Sequence, residues 1–219
     1  MRSCVRLRHG AISNSMGGAS VTKRALLLSG GMDSTALAWA LRPDLAITID
    51  YGQLAAEGEI RAAASVCQTL RIQQRVVRVD CGCLGSGDMA GTNSMTFAPV
   101  SEWWPLRNQL IITLGAAAAI QAGMTCLAIG AVATDASHVD GRREFFEAMN
   151  RLLQMQEGGM ELETPAVEDT TVSLCRRASV PFEILAWSHW CHVAEFACGR
   201  CRGCCKHRES MRELGYGEY

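Results

Sequence analysis

The stretch Ser29-Gly30-Gly31-Met32-Asp33-Ser34 follows the apolar run Ala25–Leu28 and precedes the helix-forming segment Thr35–Leu41. This order predicts a short strand, a glycine loop and the N-terminus of a helix. Two glycines let the backbone N–H groups of such a loop converge, and the helix dipole adds partial positive charge. Hydroxyl groups on Ser29, Ser34 and Thr35 supply further donors. The stretch therefore predicts a site for a phosphate compound, most simply ATP; the alternative is an ordinary strand-to-helix turn.

Asp33 sets this loop apart from the common P-loop, in which a lysine precedes the final serine or threonine. A carboxylate beside phosphates is repulsive unless a cation lies between them. Asp33 therefore predicts a bound Mg²⁺ ion. The stretch resembles the pyrophosphatase loop (PP-loop) of N-type ATP pyrophosphatases. This resemblance implies that ATP is used to adenylate a carboxylate or carbonyl oxygen, with release of pyrophosphate.

Length and composition are those of a folded chain. The 219 residues suffice for one α/β domain with a full core and a small appendage. A content of 48% hydrophobic and 20% charged residues excludes a disordered chain. The formal net charge of −1 argues against a general nucleic-acid binder and a basic membrane-surface protein, although Arg200–Arg208 forms a local basic cluster. We therefore expect neither a nucleic-acid nor a membrane partner.

Neither an export signal nor a membrane span is predicted. Residues 1–22 lack the apolar stretch of a secretory signal and are expected to form a flexible tail. The apolar segment Leu110–Ala133 is interrupted by Gln121 and by glycines, so it is better interpreted as a buried helix followed by a strand. We expect a cytoplasmic protein, and its 11 cysteines then indicate metal binding or burial rather than disulfides.

Strand and helix patterns alternate along residues 23–186, which predicts an ATP-binding α/β domain with a doubly wound parallel sheet. Ligands of such sheets bind beyond the carboxyl ends of the strands, where Ser29–Ser34, Asp50–Gln53 and Gly130–Asp140 would meet. The long loop Cys81–Ser101 is typical of a functional or mobile segment. The predicted strands are Ala25–Leu28, Leu45–Ile49, Arg75–Val79 and Thr125–Ile129, and the predicted helices are Thr35–Leu41, Leu54–Leu70, Asn108–Ala122, Arg142–Gln154 and Val167–Ala178.

A cysteine cluster near the C-terminus predicts a metal site. Cys198, Cys201 and Cys204 form two successive C-x-x-C spacings, which bring three sulfurs to one ion. Zn²⁺ binds four tetrahedral ligands, and we expect Cys191 to be the fourth, with His189 as the alternative. Four protein ligands leave no open position for chemistry, so the zinc is expected to be structural. Residues 187–219 are thus predicted to be a small zinc-binding segment packed on the α/β domain.

Several further motifs, in order along residues 24–208, resemble those of the 7-cyano-7-deazaguanine synthase (QueC) family. The chain carries a D-Y-G-Q sequence after the second predicted strand and a variant of P-G-R-N at the start of the long buried helix. It also carries T-D-x-S, a D-x-R-x-E-F sequence, a T-P pair and the zinc-site pattern. These motifs lie at Asp50–Gln53, Trp104–Asn108, Thr134–Ser137, Asp140–Phe145, Thr164–Pro165 and Cys191–Cys204.

The resemblance implies the fold of the adenine nucleotide α-hydrolases and a set of residue roles. ATP would adenylate the carboxylate of 7-carboxy-7-deazaguanine, ammonia would give an amide, and a second ATP-dependent step would dehydrate the amide to a nitrile. Homodimers are typical of the family. The implied catalytic residues are Asp33, Ser34 and Arg107. The implied nucleotide-binding residues are Ser29, Gly30, Gly31, Asp33, Ser34, Thr35, Tyr51, Gln53 and Asn108. The implied substrate-binding residues are Asp135, Asp140 and Arg142. Without the resemblance, Arg107 reads as a solvated charge at a helix start and Asp140 as the N-cap of the following helix.

The chain departs from the family pattern in the loops that would face substrate. Leu106 stands where the family has the glycine of P-G-R-N, His138 and Val139 replace an aromatic and a proline, and the lysine expected after T-P is absent near Thr170. We therefore predict a divergent member that retains adenylation and has altered later chemistry. It would stop at the amide or transfer the deazaguanine to a protein amine, as in synthase-like enzymes of antiphage operons. A third hypothesis is an inactive nucleotide-binding scaffold.

Overall fold

The computed structural model describes residues 22–217, in which five parallel strands form one sheet in the order β3-β2-β1-β4-β5. The predicted parallel sheet is thus confirmed, and of the predicted tail only residue 22 lies within the described part. The strand order reverses its direction between β1 and β4, which opens a crevice at their carboxyl ends. The strands are β1 (Arg24–Leu27), β2 (Leu45–Asp50), β3 (Gln73–Arg78), β4 (Cys126–Ile129) and β5 (Glu161–Glu163).

Helices cover both faces of this sheet because side chains alternate along each strand. In β1, Ala25 and Leu27 join one buried layer, and Leu26 joins the other. The helices are α1 (Met32–Leu41), α2 (Ala56–Leu70), α3 (Arg107–Gln121), α4 (Arg143–Gln154), α5 (Thr171–Arg177), α6 (Phe182–Leu185) and α7 (Arg202–Glu213). Helices α3 and α4 pack on the first layer, and the others pack on the second. No helix within residues 22–217 is long and apolar enough to span a membrane, and Leu110–Ala133 divides into α3 and β4 as predicted.

The predicted helix Val167–Ala178 was wrong at its start, since α5 begins only at Thr171. Thr170 caps this helix: its Oγ1 accepts a hydrogen bond from the Ser173 backbone N–H at 3.1 Å, and Ser173 Oγ accepts one from the Thr170 N–H at 2.8 Å. This reciprocal capping fixes the helix start. The residues before it form turns.

Besides the four-residue helix α6, two elements were absent from the sequence prediction. Strand β5 has only one apolar residue, Leu162, between two glutamates, and the ion pair of Glu163 with Arg24 of β1 (2.8 Å) helps to hold it at the sheet edge. Helix α7 lies in the cysteine- and arginine-rich stretch that predicted a metal loop, and it packs through the buried Met211. Both depend on tertiary contacts that the local pattern does not show.

Gly30 is the point at which the loop after β1 passes closest to α2. Its φ is +79°, and a Cβ placed on it would lie 2.7 Å from the Ala62 Cβ and 2.8 Å from the Glu59 carbonyl oxygen. A side chain here would be strained by its backbone conformation and by overlap with a helix. Gly30 thus lets the loop turn tightly against α2.

We predict that Gly30→Ala lowers the free energy of unfolding by about 2–4 kcal/mol, because left-handed strain and overpacking add. Gly123→Ala is the matched control. Gly123 has a φ of +72°, but a methyl group added there would meet no atom within 4 Å. It should therefore lose only about 1–2 kcal/mol. Urea unfolding of the two variants measures the difference, and equal losses would contradict the close approach at Gly30.

Candidate functional site

The loop Ser29–Ser34 connects β1 to α1, and its own hydroxyl groups shape it. Ser29 Oγ lies 3.2 Å from Ser34 Oγ and accepts a hydrogen bond from the Gly31 N–H at 3.4 Å. Ser34 Oγ donates to the Gly31 carbonyl at 3.1 Å. Gly31 is the N-cap of α1, so the loop ends in the free N–H groups of a ten-residue helix. These groups make the loop a preformed anion site.

Distant segments close around this loop. The backbone N–H of His189 donates to the Gly30 carbonyl at 2.8 Å. A Cβ on Gly31 would lie 3.0 Å from the indole Nε1 of Trp190, and one on Gly130 would lie 3.0 Å from the Ser34 backbone nitrogen. The C-terminal segment and the end of β4 therefore flank the loop, and two of the three loops predicted to share a rim meet here.

A cavity of about 650 Å³ opens in front of the loop. Its floor is aliphatic because the carboxyl ends of three central strands contribute to it, namely through Leu27, Ile47, Ile49 and Ile129. Its walls are the loop, the start of α3, the turn after β4 and the C-terminal segment. An apolar floor below polar walls suits a flat heteroaromatic ring with a charged substituent.

Asp33 occupies the first turn of α1 and lines the cavity. Its Oδ1 is inaccessible to solvent and has no hydrogen-bond partner among the described residues. Burial raises the pKa of Asp33 to about 6, and the positive charge of Lys206 opposes part of that rise. A buried carboxylate oxygen with no partner is chemically suited to a hard cation, so this residue fits the predicted Mg²⁺ site.

In the D-Y-G-Q motif, Tyr51 lines the cavity, and Gln53 makes hydrogen bonds inside the protein. Tyr51 is buried, lines the cavity and packs edge-on against Trp104 at 4.9 Å between ring centroids. Gln53 is used inside the protein: its Oε1 accepts from the Tyr51 N–H at 2.9 Å, and its Nε2 donates to Glu59 Oε2 at 2.8 Å. Glu59 lines the cavity. Burial raises the pKa of Glu59 to about 7 against the hydrogen bond from Gln53.

The start of α3 brings a cation to the opposite wall. Arg107 lines the cavity and places its guanidinium 3.3 Å from the Met89 sulfur, in the long loop predicted to be functional or mobile. Asn108 also lines the cavity, and its Nδ2 donates to the Asp140 carbonyl oxygen at 2.7 Å. Asp140 Oδ2 accepts from the Asn108 N–H at 3.2 Å, so Asp140 caps α3 rather than the helix that follows it.

The structure places the remaining predicted residues differently. Asp135 lines the cavity, and its Oδ2 accepts from the Val132 N–H at 3.1 Å. Asp140 lines a small adjoining crevice instead. Arg142 is exposed, and its Nε donates to the Ala136 carbonyl at 3.2 Å. Thr35 is fully buried in the helix layer, where its Oγ1 has no hydrogen-bond partner among the described residues.

Sequence reasoning missed one whole wall of the cavity. The C-terminal segment contributes Trp190 and Lys206, while Glu102 is buried and paired with Arg202 at 2.8 Å. Glu59 was also missed. Its signal was a carboxylate on an apolar helix face, one turn from the D-Y-G-Q motif. The wall residues gave no such signal, because their proximity to the loop arises only from packing.

The four predicted cysteines form a cluster. The sulfurs of Cys191, Cys198, Cys201 and Cys204 all lie within 4.8 Å of one another, and two of the pairs are 4.0 Å apart. A tetrahedral zinc site with bonds of about 2.3 Å needs sulfurs about 3.8 Å apart, so the donor set could hold such an ion. His189 lies elsewhere, with its Nε2 3.2 Å from the Ala194 carbonyl oxygen.

Backbone geometry prepares part of this cluster for a metal. Hydrogen bonds from the backbone N–H groups of Arg200 and Cys201 lower the pKa of Cys198 to about 6. Burial raises the pKa of Cys204 to about 12. Because metals bind thiolates, loading the cluster would release protons.

Comparison with known proteins points to one family. The family described as "Queuosine biosynthesis protein QueC" matches residues 23–215. The 7-cyano-7-deazaguanine synthase of Chromobacterium violaceum is 31% identical, over 93% of this chain and 92% of its own length. That of Methanosarcina mazei is 25% identical, over 88% of this chain and 95% of its own length.

A solved structure shares the fold. The U34-tRNA thiolase NcsA from Methanococcus maripaludis, determined with its [4Fe-4S] cluster, superposes with a TM-score of 0.50. The superposition covers 88% of this chain and 66% of that chain at 18% identity. At this identity the likeness concerns the fold alone.

We predict that Asp33→Asn changes how stability depends on pH. A carboxyl whose pKa is raised from 3.8 to about 6 on folding binds more protons in the folded state. The wild-type protein should therefore lose stability as pH rises from about 4 to about 6, by about 1–3 kcal/mol for this group, and the variant should not. Urea unfolding at about pH 4.5 and about pH 7.5 measures the difference, with Glu183→Gln as an exposed control. A constant difference between wild type and variant would contradict the burial of Asp33.

We also predict that Cys191→Ser and Cys201→Ser each lose the bound metal, which should be about one zinc per chain in the wild type. Cys205→Ser and His189→Ala should retain it, because neither side chain belongs to the four-sulfur cluster. Elemental analysis of the purified proteins by mass spectrometry gives the metal content. Metal loss in His189→Ala with retention in Cys191→Ser would reverse the assignment of the fourth ligand.

Proposed function

The chain belongs to the QueC family of queuosine biosynthesis proteins, and we propose from this premise that it adenylates the carboxylate of 7-carboxy-7-deazaguanine with ATP. The observation that carries the proposal is that an anion-binding loop lies beside a large cavity. An anion-binding loop in which Asp33 Oδ1 is buried, with no hydrogen-bond partner among the described residues, opens directly onto an apolar-floored cavity of about 650 Å³. Phosphates and a flat heteroaromatic ring can then be bound side by side.

Adenylation solves a specific chemical problem. A carboxylate is a poor electrophile because its negative charge repels nucleophiles. Attack of its oxygen on the α-phosphorus of ATP breaks the bond to the β-phosphate and releases pyrophosphate. The loop N–H groups, Ser29 and Ser34 would stabilise the charge that develops on pyrophosphate. Asp33 would hold Mg²⁺, which when bound neutralises phosphate charge.

The opposite wall suits the deazaguanine. The guanidinium of Arg107 would bind the substrate carboxylate and bring it to the α-phosphate, since its charge acts on both Tyr51 and Glu59 on that side of the cavity. Asp135 and Glu59 would accept hydrogen bonds from the N–H edge of a guanine-like base. Asp140 and Arg142, which lie outside the cavity, would act as positioning residues for Asn108 and for the turn after β4.

A nucleophile then completes the reaction. Ammonia attacks the acyl carbon, AMP leaves, and loss of a proton gives an amide. In the step to a nitrile, a second ATP adenylates the amide oxygen and releases pyrophosphate; that oxygen then leaves with AMP as both N–H protons are lost. An amine on a protein acceptor would give a conjugate by the same attack, which is the alternative outcome. In both cases the cysteine cluster would hold a structural zinc, because four thiolates leave no coordination position for substrate.

We predict that the protein with ATP, Mg²⁺, 7-carboxy-7-deazaguanine and ammonium releases AMP and pyrophosphate and forms the amide, as read by mass spectrometry; nitrile would show that the second ATP-dependent step is retained despite the altered loops. Asp33→Asn should lower AMP release at least about 100-fold, because loss of a phosphate-neutralising site costs several kcal/mol, while Glu183→Gln leaves it unchanged. Amide alone would show that the reaction ends with ammonia as the acceptor, and a deazaguanine adduct on a partner protein would support the alternative acceptor. No AMP with any acceptor would overturn the enzymatic proposal.

A further inference from the structure

A lysine from the C-terminal helix lines the cavity in front of the anion-binding loop, and we propose that Lys206 is the cation that binds the phosphates of ATP there. This inference rests on the proposed function. Lys206 lines the cavity together with Ser29, Asp33 and Ser34. Its Nζ lies 3.1 Å from Thr134 Oγ1, in the turn after β4 that flanks the loop.

Charge balance around the cavity singles out this residue. Among the described residues that line it, Arg107, Arg202 and Lys206 carry full positive charge. Arg202 is engaged with the buried Glu102, and Arg107 lies beside Met89 on the opposite wall. Lys206 has only a 4.0 Å contact with Asp135 Oδ1 as an ion pair, and its charge acts on Asp33. Lys206 is therefore the cation available to a triphosphate at the loop, because Arg202 is in a short ion pair and Arg107 lies on the opposite wall.

The cysteine cluster fixes Lys206 in place. Cys191 follows Trp190 in sequence, and Cys204 precedes Lys206 by two residues on α7. Cys201 Sγ accepts from the Cys204 N–H at 3.4 Å and so caps this helix. The Lys206 ammonium lies 5.1 Å from the centroid of the Trp190 ring, which itself packs on Gly31. The cysteine cluster thus positions both Trp190 and Lys206 beside the loop.

Removal of the metal should also affect ATP binding. If the cluster positions Lys206, chelation of the metal should weaken ATP binding because α7 would no longer be held beside the loop. The competing interpretation is that Lys206 only pins α7 to the turn after β4 through Thr134. A purely structural Lys206 would contribute to stability, but bound phosphate would not protect its ammonium group from modification. Its replacement would also not weaken ATP binding more than deazaguanine binding.

Lysine acylation separates these interpretations, because the chain has only two lysines. Lys206 is 35% exposed, and Lys23 is exposed just before β1, at the amino end of that strand. The metal-loaded protein is treated with an acetylating reagent with and without Mg²⁺ and α,β-methylene ATP or inorganic pyrophosphate. Peptide mass spectrometry gives the two rates. We expect either ligand to slow acetylation of Lys206 about tenfold or more and to leave Lys23 unchanged; chelation should abolish this protection. Equal rates at saturating ligand would overturn the assignment.

Variants give an independent measurement. Lys206→Met keeps an aliphatic chain on Trp190 and removes the charge, so the Kd for the ATP analogue should rise about 10- to 100-fold. Lys206→Arg should restore part of the affinity, and Lys23→Met should bind as the wild type does. The Kd for 7-carboxy-7-deazaguanine should stay within about twofold of the wild-type value.

The outcomes distinguish this inference from the proposed function. Wild-type protein that neither binds the analogue nor releases AMP would overturn the proposed function and this inference with it. Wild-type activity with an unchanged Kd in Lys206→Met would overturn only the role of Lys206. If Lys206→Met loses its metal or fails to fold, the acetylation rates of the wild type decide the question.

Discussion

The hydrogen bond from the His189 N–H to the Gly30 carbonyl, at 2.8 Å, joins the two halves of the site. A glycine loop that presents its N–H groups to an anion has few side chains with which to hold itself, so it depends on close packing from outside. Here α2 supports the loop beneath Gly30, and Trp190 covers Gly31. Gly58 allows α2 itself to approach the C-terminal segment, since a Cβ there would lie 2.5 Å from the Glu195 carbonyl oxygen. The C-terminal segment is therefore part of the packing that holds the glycine loop, rather than an appendage beside it.

Electrostatics in the cavity follow from this arrangement. An aliphatic floor and packed walls withdraw carboxylates from water, which raises the pKa of Asp33 to about 6 and that of Glu59 to about 7. Each carboxylate has a cation within electrostatic reach, Lys206 for Asp33 and Arg107 for Glu59. Incomplete compensation of both charges leaves the cavity suited to ligands that bring positive charge or N–H groups, which is what a metal–phosphate complex and a guanine-like edge supply.

Local features were predictable from sequence, and features that depend on distant contacts were not. The loop, the parallel sheet and the four cysteines followed from short patterns whose geometry is set by neighbouring residues. Strand β5 pairs with β4 and is supported by the ion pair between Arg24 and Glu163, and Lys206 reaches Thr134 at the cavity wall only because α7 packs there. Gln53 illustrates the converse: its motif suggested a ligand contact, but its amide is occupied by the backbone of its own turn and by Glu59. Sequence spacing indicates which residues share a turn and does not indicate which of them face the cavity.

Leu106 shows how a departure from the family motif can leave the site geometry intact. It adopts the left-handed conformation that glycine favours, with a φ of +55°, immediately before α3. That conformation costs a leucine about 1–2 kcal/mol relative to a favoured backbone region. Two hydrogen bonds between Asn108 and Asp140 hold the start of α3 and offset this cost. Because the leucine side chain is 68% exposed, it adds no steric conflict in the interior. Arg107 therefore keeps its place on the cavity wall, and the substitution changes the outer surface beside the site rather than the residues inside it.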